Sequence, residues 1–223
     1  MSRQRYSAVT LDLVGTLAIF DPPEYIISRF AARKGVHVTP EEARRVIRSV
    51  HVERRGRNPR EYYIVLNQAV LSALHVPGTG EELLRYWFNP ENYRVEACVA
   101  DALQALRGRG VKLAVISNNL SWEVESLLAH TGLRSLFDVI STPDLSGAFK
   151  PSPKAFLYAL EALHVAPPAS LHAGDSLEED YLAARAAGMS AVLVSQRCPQ
   201  GATCIRSVCL LPEVVLDGMG GGP

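Results

Sequence analysis

Lysine is scarce in this chain of 223 residues: only Lys34, Lys112, Lys150 and Lys154 occur, against nineteen arginines, so each lysine can be weighed singly. No run of about 18 apolar residues is present, which excludes a membrane-spanning helix as the organising element. The opening Met-Ser-Arg-Gln-Arg has none of the apolar stretch of a secretory signal, and a cytoplasmic location is expected. Excess charge of either sign is missing too. The 23 basic and 23 acidic residues cancel, which removes the global electrostatic case for a nucleic-acid or membrane partner. There is no internal repeat. No histidine follows His172, so Cys198, Cys204 and Cys209 lack a fourth ligand for a tetrahedral zinc site, and none is expected. The heptapeptide Cys198 to Cys204 could close a small disulfide loop, but thiols in the cytoplasm normally stay reduced, and free cysteines are the expectation.

With nearly half its residues apolar, the chain reads as one globular core with room for a modest insertion, monomeric or homodimeric. Tyr6–Leu11 is a buried-strand pattern. From there to about residue 109 the periodicity is helical, too long for a single crossover. Thr39-Pro-Glu-Glu42 is a capping box with Ala43, Val46, Ile47 and Val50 on one face. Pro59 opens a second helix through Leu74, and Gly80–Trp87 forms a third. Beyond Glu96, helix and strand alternate. Strands are expected at 111–117, 137–141, 171–174 and 191–195, with a short one at 205–210, and helices at 97–107, 121–130, from Ser152, and 178–187. Unbroken apolar strands separated by helices predict a doubly wound parallel sheet with helices on both faces. The expected division is 1–17 with 96–217 as core, 18–95 as a small all-α cap, and 218–223 as a flexible tail.

The chemistry-bearing residues fall at the carboxyl ends of these strands, where ligands bind in such sheets. Asp12 follows the first strand and can act as a nucleophile. To meet an anionic substrate it needs a cation. Mg²⁺ fits, because it takes a few carboxylates, water and substrate phosphate. Asp12 and Asp175 would supply two oxygens, and Asp180, five residues on in a first helical turn, suits an indirect or water-mediated contact. Lys150 could steady the Asp12 carboxylate and a bound phosphate. Ser117, Asn118 and Thr16 offer hydroxyl and backbone donors to phosphoryl oxygens. Each of these alone reads equally well as a turn, a helix entry or an N-cap. Their joint order over residues 9–188 resembles the four motifs of the haloacid dehalogenase superfamily.

That resemblance implies a Rossmann-like α/β core with a helical cap after the first motif. It also implies a Mg²⁺-dependent hydrolase, foremost a phosphatase for a small phosphorylated metabolite, working through an aspartyl-phosphate on Asp12. It assigns phosphate binding and electrostatic support to Ser117 and Lys150, a metal-ligand role to Asp175, and adds the backbone carbonyl of residue 14 as a metal ligand. The departure is Val14, where the superfamily's phosphatases carry the aspartate that protonates the leaving group. Loss of such a group lowers rates by about 10²–10⁴-fold, so leaving groups that need no proton, such as acyl or aryl phosphates, are expected. Otherwise the insertion must supply an acid, with Glu24, His51, Glu53 and Tyr62 as candidates. Dehalogenases of the superfamily are metal-free, with a small polar sequence where this chain has Gly174-Asp175-Ser176 and a tyrosine at Phe156. Its phosphonatases accept a small apolar residue at position 14 but need a cap lysine, and Lys34 is the insertion's sole lysine. From another class comes a degenerate member that binds a phosphorylated ligand or partner without turnover. Nine arginines lie between Arg29 and Arg60 and are expected mostly as a solvated face paired with Glu41, Glu42, Glu53 and Glu61. The histidines show no ligand spacing and are expected to be structural.

Overall fold

The computed structural model describes residues 6–53 and 56–216. The expected flexible tail at 218–223 and the arginines at 54 and 55 lie outside these. Two compact units emerge: one built from the chain up to Ile19 together with Val95 onward, the other from Phe20–Arg94.

In the first unit, β1 (Ala8–Leu11) is buried along its whole length and leads straight into Asp12. The chain then enters the second unit through β2 (Ile19–Phe20).

Among the described residues the second unit holds four α-helices, one more than the three the sequence predicts: α1 (Pro23–Arg33), α2 (Pro40–Ser49), α3 (Pro59–Ala73) and α4 (Gly80–Trp87). Helix α1 lacks a side-chain cap at Pro22, which is why no capping signal marks it. The capping boxes at Thr39/Glu42, Asn58/Glu61 and Thr79/Glu82 are all formed, each pairing a side chain with the N3 amide and the N3 glutamate with the cap amide. The helices close over Ile27, Phe30, Val38, Val70, Leu71 and Leu83. The arginines are paired largely with other acids than expected: Arg29 with Asp21, Arg33 with Glu91, Arg44 with Glu24 and Arg60 with Glu81. Nearest partners along one helix yield here to acids of other segments, on a neighbouring helix for Arg44 and Arg60 and outside the α-helices for Arg29 and Arg33. The chain leaves through β3 (Tyr93–Arg94), which pairs with β2, and Phe20 packs against Phe88 and Tyr93.

Back in the first unit come α5 (Val99–Gly108), β4 (Lys112–Ile116), α6 (Ser121–His130), β5 (Val139–Ser141), α7 (Pro143–Ser146), α8 (Pro153–Leu163) and β6 (Ser170–Gly174). A π-helical turn at Leu177–Leu182 runs into α9 (Ala183–Ala186), followed by β7 (Ser190–Val194), β8 (Cys204–Ile205) and α10 (Leu211–Leu216). The expected strand at 205–210 is therefore only its first residue. A 3₁₀ turn at Val208–Leu210 replaces the rest, because Ser207 caps the amide of Cys209.

All six core strands run parallel in the order β5-β4-β1-β6-β7-β8. One face buries Ala8, Ala114 and Ile116 under α8 and α9 through Phe156, Ala159, Leu160 and Ala184. Alternate residues Val9, Leu11, Leu113 and Val115 point the other way and are equally buried. The chain moves outward from β1 through β4 to β5, then returns to add β6 on the other side. That reversal of winding opens a crevice at the carboxyl ends of β1, β4 and β6.

Free cysteines are not what the structure has. Cys98 is bonded to Cys209 and Cys198 to Cys204, leaving none free. The first pairing joins residues 111 apart, a proximity created by folding that spacing cannot reveal.

Candidate active site

The crevice gathers Asp12, Lys150, Asp175 and Asp180. Asp12 is placed by the register of β1, whose Leu11 pairs with Val115 on one side and Ala173 on the other, and its amide donates to the Ala173 carbonyl. Just beyond, the amides of Leu17 and Ala18 both donate to the Leu13 carbonyl, folding the chain back on itself. Gly15 sits in this turn at φ +91°, and a Cβ there would run into the Asp175 carboxylate. Only glycine allows that approach. The same holds for Gly174 at the end of β6, whose missing Cβ is where the Asp180 side chain passes.

Lys150 is buried, and its Nζ donates to Asp12 Oδ1 at 2.6 Å and to Asp180 Oδ1 at 2.5 Å. Asp180 Oδ2 accepts from the Ser176 amide at 3.0 Å. Burial works against the ammonium, but the two carboxylates outweigh it and hold the Lys150 pKa above its ordinary value. For Asp180 burial likewise opposes charge, yet Lys150 and His172 hold the carboxyl well below the usual range. Asp12 goes the other way. Burial raises it to about 6, with Lys150 opposing and the charges of Asp180 and Asp175 adding to the rise. Asp175 is raised too, by burial and by Asp180.

Three carboxylates, Asp12, Asp175 and Asp180, bring oxygens within 4.8 Å of one another. Asp12 Oδ2 is buried and has no hydrogen-bond partner among the described residues. A carboxylate oxygen left bare beside other acids is costly unless a cation meets it. The donor set, all hard oxygen, fits Mg²⁺. Val14 is 38 % exposed, and its side chain carries no group that could move a proton.

The remaining expected residues lie at the same edge with differing partners. Ser117 ends β4, and its hydroxyl donates to Asn119 Oδ1 at 2.9 Å. Asn118 is taken up with Lys150: its Oδ1 accepts from the Lys150 amide at 2.6 Å and its Nδ2 donates to the Lys150 carbonyl at 3.1 Å. Nδ2 also reaches Glu179 Oε2 at 3.2 Å. The side chain that residue order suggested as a phosphate donor is thus engaged in holding the lysine loop. Thr16 is buried behind the Gly15 turn.

Sequence reasoning expected His172 only as a structural histidine and passed over Thr10. Opposite each other in register on β6 and β1, they are fully buried, with His172 Nδ1 at 2.8 Å from Thr10 Oγ1. His172 Nε2 lies 3.2 Å from Asp180 Oδ1, and the ring packs edge-on against Phe156. A polar chain therefore runs Thr10, His172, Asp180, Lys150, Asp12. The signal was present: each is a polar residue in the middle of an otherwise apolar strand, which demands a partner.

In the helical unit, one candidate replacement acid, Glu24, and the sole lysine, Lys34, are already committed. Glu24 is held by Arg44 at 2.7 and 3.0 Å, and its own backbone amide together with that guanidinium keeps the carboxyl below its usual range, the wrong direction for an acid. Lys34 pairs with Glu82 at 3.2 Å over the Phe30 ring.

Comparison with known proteins agrees with this geometry. The family profile of haloacid dehalogenase-like hydrolases matches residues 6–188. Haloacid dehalogenase-like hydrolase domain-containing protein 3 of Bos taurus is 37% identical over 126 residues, covering 56% of this chain and 50% of that protein. The chain thus matches about half the length of that curated relative. Glyceraldehyde 3-phosphate phosphatase of Methanothermobacter thermautotrophicus is 29% identical over 171 residues, 72% of this chain and 71% of that one. Among solved structures, a HAD phosphatase from Thermococcus onnurineus superposes with a TM-score of 0.71 at 27% identity, covering 94% of this chain and 98% of that one.

Proposed function

The chain belongs to the haloacid dehalogenase-like hydrolase family, and we propose that it is a Mg²⁺-dependent phosphatase for a small phosphorylated metabolite, with Asp12 as nucleophile. The observation that carries this reading is the bare, buried Oδ2 of Asp12, whose other oxygen is fixed by Lys150. One oxygen is steadied and the other remains free to attack.

In this reading Asp12 Oδ2 attacks the phosphorus of the substrate, the bond to the leaving oxygen breaks, and an aspartyl-phosphate forms. Water then attacks that phosphorus, releasing inorganic phosphate and the free carboxylate. Lys150 keeps Asp12 ionised and in place, and Asp180 and His172 hold Lys150. The hydroxyls of Ser117 and Thr16 donate to phosphoryl oxygens, and Asn118 fixes the lysine loop. Asp12, Asp175 and the Val14 carbonyl would hold Mg²⁺, with Asp180 in indirect support. Bound there, the ion offsets the repulsion between an anionic nucleophile and an anionic phosphate.

Val14 cannot protonate a departing alkoxide, so the substrate class is narrowed to good leaving groups, acyl or aryl phosphates before alkyl ones. The same residue favours a second reading, a phospho-ligand binder that no longer turns over. Phosphate release with Mg²⁺ from acyl, aryl and alkyl phosphates separates them. Turnover confined to good leaving groups, lost in Asp12→Ala and broadened in Val14→Asp, is the outcome expected of the phosphatase. Silence from the natural chain with activity in Val14→Asp means an intact scaffold that has lost hydrolysis and favours the binder. The location that fits this activity is the cytoplasm, where such metabolites reside, although two disulfides are unusual there outside proteins of hot habitats.

A further inference from the structure

Glu96, Cys98 and Cys209 form a second cluster, sharing no residue with the Asp12 set, whose ligating atoms lie within 4.8 Å of one another. Cys98 is the residue before α5, Glu96 stands two positions earlier, and Cys209 lies in the 3₁₀ turn before α10. Glu96 Oε2 is 3.5 Å from Cys209 Sγ and 3.8 Å from Cys98 Sγ, and it accepts the Ser207 hydroxyl at 2.5 Å. The sulfurs are joined as a disulfide. Neither sulfur then carries a proton, so apart from the Ser207 hydroxyl the carboxylate oxygen faces sulfur lone pairs. Toward the two sulfurs the carboxylate has no attractive interaction in the oxidised pair. It has one when the pair is reduced.

We propose that reduction of the Cys98–Cys209 bond creates a zinc site, with the two cysteine sulfurs and Glu96 Oε2 as ligands and water as the fourth. A tetrahedral ion with metal–sulfur distances of about 2.3 Å and metal–oxygen distances of about 2.1 Å has sulfur–oxygen edges of about 3.6 Å and a sulfur–sulfur edge of about 3.8 Å. Both sulfur–oxygen separations already match. Only the sulfurs must part, through side-chain rotation at exposed Cys98 and half-buried Cys209. Ser207, bonded to the ligating oxygen, orients the carboxylate as outer hydrogen-bond partners do in zinc sites.

The chemistry balances. A dithiol reductant opens the bond by exchange, becoming a disulfide itself and leaving two thiols on the protein. Zn²⁺ then displaces both thiol protons and binds two thiolates and one carboxylate, leaving the site with net charge −1. Either linkage ties the α10 segment to α5. The expectation that no zinc site exists considered only the three late cysteines, whereas here the ligands come from both sides of a separation of 111 residues.

The test titrates Zn²⁺ against a chromophoric chelator, and Co²⁺ as a spectroscopic probe, using the whole chain oxidised or reduced by a phosphine. The reduced chain is expected to take up one zinc on thiolates and to develop thiolate-to-cobalt charge-transfer absorption, which the oxidised chain lacks. Cys98→Ser removes the absorption, Glu96→Gln weakens zinc binding about tenfold or more, and the double variant Cys198→Ser/Cys204→Ser keeps both signals. The acids around Asp12 bind cations through oxygen in either redox state and give no such band. Absence of the band in the reduced natural chain, or its persistence in Cys98→Ser, overturns the proposal without touching the phosphatase reading.

Discussion

His172 and Asp180 meet at 3.2 Å in the floor of the crevice, both almost wholly buried, so that the strand histidine braces the carboxylate that in turn braces Lys150. Replacing His172 by Leu leaves the Thr10 hydroxyl and one face of Asp180 without a partner. Each stranded buried group costs about 1–3 kcal/mol, and a loss of about 3 kcal/mol in unfolding free energy is expected by chemical denaturation. Phe156→Leu, which removes the ring's edge contact but no polar partner, is expected to cost less.

Lys150 stands between Asp12 and Asp180 as their common cation. Lys150→Met strands two buried carboxylates, and breaking such a buried pair costs about 3–5 kcal/mol. Phosphate release is expected to vanish with it. Adding Asp180→Asn removes one of the stranded charges, so the double variant should recover part of the stability but none of the activity. Equal stability of single and double variants would mean that the ion pair is not coupled.

How much of this was visible beforehand differs from residue to residue. The α/β class and the strand tips bearing Asp12, Ser117 and Asp175 were legible because apolar runs and turn residues are local signals, whereas Lys150, expected at the tip of β5, is separated from it by α7. The Thr39/Glu42 capping box marked α2, and apolar periodicity after Pro59 and Gly80 marked α3 and α4, for the same reason. Helix α1, starting at Pro23 without a capping side chain, was hidden, as were the arginine partners, which lie on other segments of the chain. Helix 178–187 was expected as a regular α-helix, but its first half is a π turn that swings Asp180 back toward Lys150. Wide turns of this kind often mark functional positions. Thr10, His172 and the pairing of Cys98 with Cys209 depend on register and on closure of distant segments. No periodicity records those.

Gly15 and Gly35 share a positive φ, +91° and +78°, but differ in what surrounds them. Alanine at Gly35 meets nothing within 4 Å and should cost only the left-handed backbone penalty, about 1 kcal/mol. At Gly15 the methyl group collides with the Asp175 carboxylate. Gly15→Ala should therefore lose more stability than Gly35→Ala and, unlike it, lower Mg²⁺-dependent turnover by tenfold or more. Thermal melts and phosphate release on the two variants give the comparison.

The elevated Asp12 pKa sets a pH dependence with a definite sign. Its folded value, about 6, lies above the ordinary carboxylate value of 3.8. Between those values the folded chain holds a proton that the unfolded chain has lost, so stability falls as pH rises from about 4 to 6. In the metal-free protein the drop should be on the order of 2 kcal/mol, followed by thermal melting in chelator. Asp175, raised in the same direction, adds to it, whereas Asp180, held low, acts only at more acidic pH. Asp12→Asn should flatten the profile over this range.

The two disulfides should contribute unequally, because they close loops of very different length. Cys98 and Cys209 are 111 residues apart, Cys198 and Cys204 only six. Restricting the unfolded chain gives about 4.7 kcal/mol for a loop near 100 residues and about half as much for a loop this short. Cys98→Ser/Cys209→Ser should therefore lower the melting temperature clearly more than Cys198→Ser/Cys204→Ser, both measured without reductant or added metal. The long link also joins the segment leading into α10 to the start of α5, whose packing buries Leu211 and Val215. Its loss should consequently speed proteolysis near residues 211–216 before the rest of the core opens. Equal destabilisation by the two double variants would show that native packing around each bond, rather than loop closure, sets its contribution.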